Sequence, residues 1–206
     1  NTSDNLSVSS FTISGSKPVL VQVTAVSTPT NDRSPSYTFS STKPGTVTYG
    51  GNCSSDNATA SNGNNTVTFD NMSDGTYSNC TVRVTSNDNV TSDYLTVSSF
   101  SIDGTKPVLS QVTAIGTTSD TTPNYSFSSS EAGSITYSGS CSSPITSAPA
   151  VADNNTFFVT FNTLAEGTYS NCGIQVRDSA FNTSDNLSVS SFTISGSKPV
   201  LVQVTA

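Results

Sequence analysis

Apolar residues along this chain come in short runs of period two. Thr66-Val67-Thr68-Phe69 is one such run, and Tyr37/Phe39, Val47/Tyr49, Val67/Phe69 and Val82/Val84 each share one face of an extended segment. Half-buried strands require that alternation, and Gly, Asn, Asp and Ser separate one run from the next. The pattern predicts strand A over Pro18–Ala25, B over Ser36–Ser41, C over Thr46–Gly50, E over Thr66–Asp70, F over Thr76–Thr85 and G over Tyr94–Ile102. Strand G changes parity midway: Leu95 and Val97 are in phase, Phe100 and Ile102 are in the opposite phase. A β-bulge is therefore expected at Ser98-Ser99.

The whole order repeats from Pro107 to Ile194. Lys17, Lys106 and Lys198 mark the period at 89 and 92 residues, too long for a solenoid turn and right for a small domain. Pro35–Ser41 matches Pro123–Ser129, Gly45–Tyr49 matches Gly133–Tyr137, and Gly75–Cys80 recurs unchanged as Gly167–Cys172. Asn1–Ala25 itself returns residue for residue as Asn182–Ala206. The expected organisation is the last strand of a preceding repeat over 1–14, complete repeats over 15–104 and 105–196, and the first strand of a following repeat over 197–206. Each complete repeat reads as an immunoglobulin-like β-sandwich of about seven strands, so the fold class is all-β, beads on a string. A lone A and a lone G strand cannot build a sandwich, so strand exchange between chains is disfavoured. The chain reads as a window on a longer array.

Composition narrows the function. Only 10% of the 206 residues are charged, with 14 acidic against 7 basic side chains and no histidine. A net charge of −7, with four lysines and three arginines scattered along the chain, excludes a phosphate-tracking groove, so no nucleic-acid partner is expected. No apolar run approaches a membrane span. No histidine is present to act as a base, and no nucleophile elbow or phosphate-cradling loop appears. The only glutamates, Glu131 and Glu166, both lie in one repeat, so an enzyme is not expected.

The cysteines come two per repeat, Cys53 with Cys80 and Cys141 with Cys172. Spacings of 27 and 31 residues, without histidine, do not fit a compact zinc site. Cys53 and Cys141 follow strand C in phase with its inward residues. Cys80 and Cys172 open strand F in phase with Val82 and Ile174. In an immunoglobulin-like sheet the end of C meets the start of F, which predicts one disulfide per repeat; the alternative is buried free thiols. Disulfides imply an oxidising, extracellular or cell-surface location.

Thr122-Pro123-Asn124-Tyr125, Glu131-Ala132-Gly133-Ser134-Ile135-Thr136-Tyr137 and Leu164-Ala165-Glu166-Gly167-Thr168-Tyr169 resemble bacterial immunoglobulin-like repeats. Arg177-Asp178-Ser179-Ala180-Phe181-Asn182-Thr183-Ser184 is similar to that family's turn before strand G, with Phe181 where glycine is usual. The resemblance implies the stalk of a large surface adhesin or biofilm-matrix fibre. It implies calcium at repeat junctions, for which Asp93, Asp103 and Asp178 are weak candidates. The junctions themselves carry Ser14, Asp103 and Ser195, one aspartate in three, each followed by lysine-proline, so no cofactor is expected. Lys17-Pro18, Lys106-Pro107 and Lys198-Pro199 are expected to stiffen the linkers. Partners are neighbouring repeats and lateral copies of the array. The alternative function is recognition of a glycan or protein through the divergent loops Val26–Arg33 and Ser142–Asn155.

Overall fold

The computed structural model describes residues 3–10, 15–149 and 157–196. The chain divides into two units, Asn1–Asp103 and Gly104–Ala206. Each is built from strands alone among the described residues, and no helix there is long and apolar enough to cross a membrane.

The first unit contains β1 (Leu20–Thr24), β2 (Ser36–Ser41), β3 (Gly45–Gly50), β4 (Thr59–Ala60), β5 (Gly63–Thr68), β6 (Gly75–Tyr77), β7 (Thr81–Ser86), β8 (Leu95–Thr96) and β9 (Phe100–Ile102). One sheet has the order β1-β2-β5, the facing sheet the order β4-β3-β7-β8, and β6 pairs with β9. The second unit repeats the plan with β10 (Leu109–Thr113), β11 (Thr117–Thr118), β12 (Asn124–Ser129), β13 (Gly133–Ser138), β14 (Ser147–Ala148), β15 (Phe157–Thr160), β16 (Gly167–Tyr169), β17 (Gly173–Arg177), β18 (Leu187–Ser188) and β19 (Phe192–Ile194). Its sheets are β10-β12-β15, β14-β13-β17-β18 and β11-β19-β16. Both units are β-sandwiches.

The bulge expected at Ser98-Ser99 is not what the parity change produces. Strand F also breaks, into β6 and β7, opposite the break between β8 and β9. Thr81 faces Thr96 before the break and Tyr77 faces Phe100 after it, four residues back on one strand and four on along the other. No residue is gained or lost, whereas a bulge sets two residues against one. Val97 N still donates to Cys80 O at 3.0 Å inside the break. The second unit is the same, with Gly173 facing Ser188 and Tyr169 facing Phe192. Both strands thus leave the pleat together and re-enter it turned over. The register shifts lie elsewhere, between Gln22 and Thr24 in β1 and between Gln111 and Thr113 in β10.

Turning the hairpin over inserts Phe100 into the core. Rings stack in the series Tyr37–Phe69–Phe100–Tyr77, with centroids 5.9, 6.1 and 5.4 Å apart. The second unit carries Tyr125–Phe161–Phe192–Tyr169 at 6.0, 6.2 and 5.2 Å. Without the parity change Phe100 and Phe192 would point to solvent, and each spine would be cut in two. Tyr77 and Tyr169 close the spines as tyrosine corners, their hydroxyls donating to Ser73 O and Ala165 O at 2.9 Å.

Residues 3–10 carry no strand, although Ser184–Ser191 is the identical sequence and contains β18. Leu6 is 91% exposed and Val8 77%, while Val189, the counterpart of Val8, is 4% exposed. The strand forms where β17 offers it a partner edge, so tertiary pairing decides the matter and local propensity does not.

Burial raises the Tyr37 and Tyr125 hydroxyls to about 12. A folded value above the unfolded value of about 10 makes the neutral phenol a source of stability, full below about pH 10 and lost as pH climbs toward 12. Alkaline titration is expected to leave these two phenols protonated until the units unfold, so their tyrosinate absorbance rises together with loss of the strand circular-dichroism signal. Ionisation near pH 10 with the fold intact would contradict the packing.

Candidate functional site

The disulfides lie where the two central strands of one sheet meet. In β3 and β7, Gly50 faces Thr81, so the chain just past β3 arrives beside Cys80. Cys53 and Cys80 are joined with Cα atoms 5.3 Å apart, as are Cys141 and Cys172. All four are buried in their cores. Loops of this size contribute about 3–4 kcal/mol each in the chain-entropy account.

A single glycine makes each approach feasible. Gly51 has φ +72°, and a Cβ there would stand 2.0 Å from Asn79 O; Gly139 has φ +72° and the same clash with Asn171 O at 1.9 Å. The asparagines complete the turns: Asn79 Oδ1 accepts from Asn52 N at 3.1 Å, and Asn171 Oδ1 from Ser140 N at 3.3 Å.

The double break would leave the amides of Ser98 and Ser190 without a ladder partner. A glutamine of the first strand takes each of them. Gln22 Oε1 accepts from Ser98 N at 3.0 Å while Gln22 Nε2 donates to Ser98 Oγ at 2.8 Å. Gln111 and Ser190 make the same two bonds at 3.0 and 2.8 Å. Sequence reading missed these glutamines, because one polar residue in an edge strand carries no periodic signal. The change of parity at Ser98-Ser99 was the available clue.

The segment that follows the first strand also meets the last strand, in parallel. Thr30 N donates to Ser101 O at 3.0 Å and Asp103 N to Thr30 O at 2.9 Å. In the second unit β11 runs parallel to β19, and Thr193 N and Ser195 N donate to Gly116 O and Thr118 O at 3.1 and 2.9 Å. The loop Val26–Arg33 is therefore committed at its centre to strand pairing.

The junction residues belong to the beads. Lys17 pairs with Asp93, and Lys106 Nζ lies 3.7 Å from Asp185. Both pairs are solvent-exposed and contribute little stability. Pro18 and Pro107 are buried, and each lines a small groove with the leucines of the neighbouring strands, Leu20 and Leu95 or Leu109 and Leu187. Lys198 and Pro199 lie outside the described residues, as does part of the loop Ser142–Asn155.

Among the calcium candidates, Asp93 is taken by Lys17. Asp103 is half-buried. Asp178 is buried in the β17–β18 turn, where Oδ1 accepts from Asn182 N and Oδ2 from Asn182 Nδ2, both at 2.9 Å. Within the second unit the Asp178 and Glu131 carboxylates approach within 4.8 Å. At the corresponding place in the first unit stands Lys43, with Nζ 3.6 Å from Asp88. The two beads thus differ there in sign of charge, one carrying a fixed ammonium where the other gathers carboxylates.

No family model matches the chain, and no curated protein matches it. A search of solved structures finds the fibronectin(III)-like modules of Clostridium thermocellum CbhA, at 11% identity and a TM-score of 0.43, covering 85% of this chain and 94% of that one. A likeness this loose leaves function to the chain's own residues.

Gly51→Ala is expected to destabilise the first unit by more than about 2 kcal/mol, combining left-handed strain with displacement of a backbone carbonyl. Gly63→Ala, at φ +99° with nothing within 4 Å, is the control and pays the strain alone, about 1 kcal/mol. Equal losses in chemical denaturation would refute the close approach.

Proposed function

We propose that the chain is a load-bearing segment of an extended extracellular fibre or adhesin stalk, in which each disulfide-stapled bead is a spacer rather than an enzyme or receptor. The observation that carries the reading is the parallel bonding, in each unit, of the last strand to the segment just after the first strand. An array pulled at its ends loads every bead through its first strand in one direction and its last strand in the other. Side-by-side parallel strands pulled that way must slide, so their hydrogen bonds are strained together instead of being peeled one at a time.

Three further features support it. The disulfides suit an oxidising compartment outside the cytoplasm. They also shorten the chain released when a bead opens, because the residues between the cysteines stay out of the line of force. The outer faces are hydroxyl-rich and weakly charged, as in Thr46, Thr59 and Thr85, which face one another across β4, β3 and β7. Such a surface stays hydrated without a strong field.

Single-molecule extension tests the reading. Each oxidised bead is expected to resist load in one event. Reductant is expected to lengthen the released chain by about 27 residues in the first unit and 31 in the second. At roughly 3.5 Å per residue these are gains of about 90 and 110 Å. Beads that extend without a resisting event, or reductant that leaves the released length unchanged, would overturn the spacer mechanism. A glycan array tests the alternative: a spacer is expected to bind nothing, and saturable binding would move the chain to the class of recognition modules.

A further inference from the structure

The double break in strands F and G presents a problem that the fold solves by reaching across the sandwich. At the break, Ser98 and Ser190 are held by a side chain from the opposite sheet. Gln22 and Gln111 each use both ends of the amide, the carbonyl on the serine N–H and the NH2 on its hydroxyl, at 2.8–3.0 Å. The chain irregularity that follows each glutamine is also shared, since the register of β1 and of β10 shifts immediately after Gln22 and Gln111. A bulge of that kind re-aims the neighbouring side chain, here toward the seam.

We propose that these glutamine–serine pairs are mechanical latches, tying the first strand of each bead to its last strand at the point where the last hairpin is weakest. The inference rests on the spacer reading and adds the residues that set the force. β1 and β10 are edge strands, joined on one side only to β2 and β12. Load entering through them is passed to strand G by the latch and by the parallel pairing further along. When the latch lets go, Ser98 N–H loses its partner at the break, and the bond from Val97 N to Cys80 O is left to hold the hairpin there.

The two latches are unequal. Tyr125 OH donates to Gln111 Oε1 at 3.2 Å, which backs the second latch with a buried phenol. Tyr37, its counterpart, is fully buried and its hydroxyl makes no hydrogen bond to the described residues. Removing Gln111 strands the buried Tyr125 hydroxyl as well as the Ser190 amide, whereas removing Gln22 strands the Ser98 amide alone, so the second bead depends more on its latch.

The test is force spectroscopy on the oxidised full chain. Reductant assigns each event to its bead, because the two gain different lengths on reduction. Gln22→Met keeps the side-chain length and removes both bonds. It is expected to raise the opening rate under load of the first bead about tenfold and leave the second unchanged. Gln111→Met is expected to act on the second bead alone, and more strongly. Ser98→Ala, which removes only the hydroxyl acceptor and leaves the amide bond, is expected to give an intermediate effect on the first bead and guards against a variant that fails to fold. The latch is overturned if these variants lower thermal stability while opening rates under load stay at wild-type values, or if either glutamine variant weakens both beads alike. If the wild-type beads resist no load at all, the spacer reading falls first and takes the latch with it. Wild-type resistance with unaltered variants removes the latch alone.

Discussion

The amide of Ser98, and that of Ser190, is the constraint around which each bead is arranged. Strands F and G leave their pleat together for a few residues, and the serine N–H at the interruption takes a side-chain acceptor instead of a ladder carbonyl. The acceptor comes from the first strand of the chain, through Gln22 or Gln111. One bond thereby joins the beginning of the bead to its end. The interruption itself is useful, because it turns the end of strand G over and delivers Phe100 or Phe192 to the aromatic spine that spans the core. Cys80 and Cys172 sit at the same interruption, so the disulfide, the spine and the latch share one short stretch of chain.

Most of this skeleton was legible in the alternation of residues. Strand B begins and ends at the observed residues, and strands A and C are displaced by at most two. The parity change in strand G was visible too, but its meaning was not. A single strand shows only that its faces exchange; whether the partner exchanges with it depends on register, which is a property of the pair. The two-residue strands β4, β11 and β14 carry too few residues for any period to appear. The segment Ser3–Ser10 marks the limit most sharply, since its sequence is identical to Ser184–Ser191 and only the latter contains a strand.

The candidate site divides along the same line. Inward phase marked the cysteines, because it is a local property, whereas Gly51 and Gly139 matter through the backbone carbonyls of Asn79 and Asn171 that come close to them in the fold. Gln22 and Gln111 were invisible, since their importance comes from what lies across the seam. Lys17 and Pro18 read as linker because they flank a strand, yet burial of Pro18 and the Lys17–Asp93 pair make them part of the bead. The exchange of Lys43 for Glu131 at equivalent positions shows how two beads of one skeleton differ in local charge while the elements that join first strand to last are kept.

The central claim is that the interrupted hairpin is held from across the sandwich, and amide hydrogen exchange tests it most directly. Ser98 N–H and Ser190 N–H should be protected far beyond solvent-exposed loop amides and should approach Val97 and Val189, whose amides donate to Cys80 O and Cys172 O. In Gln22→Met the protection of Ser98 should vanish while that of Ser190 stays. Exchange of the Ser98 amide at the rate of an open loop in the unaltered chain would contradict the account.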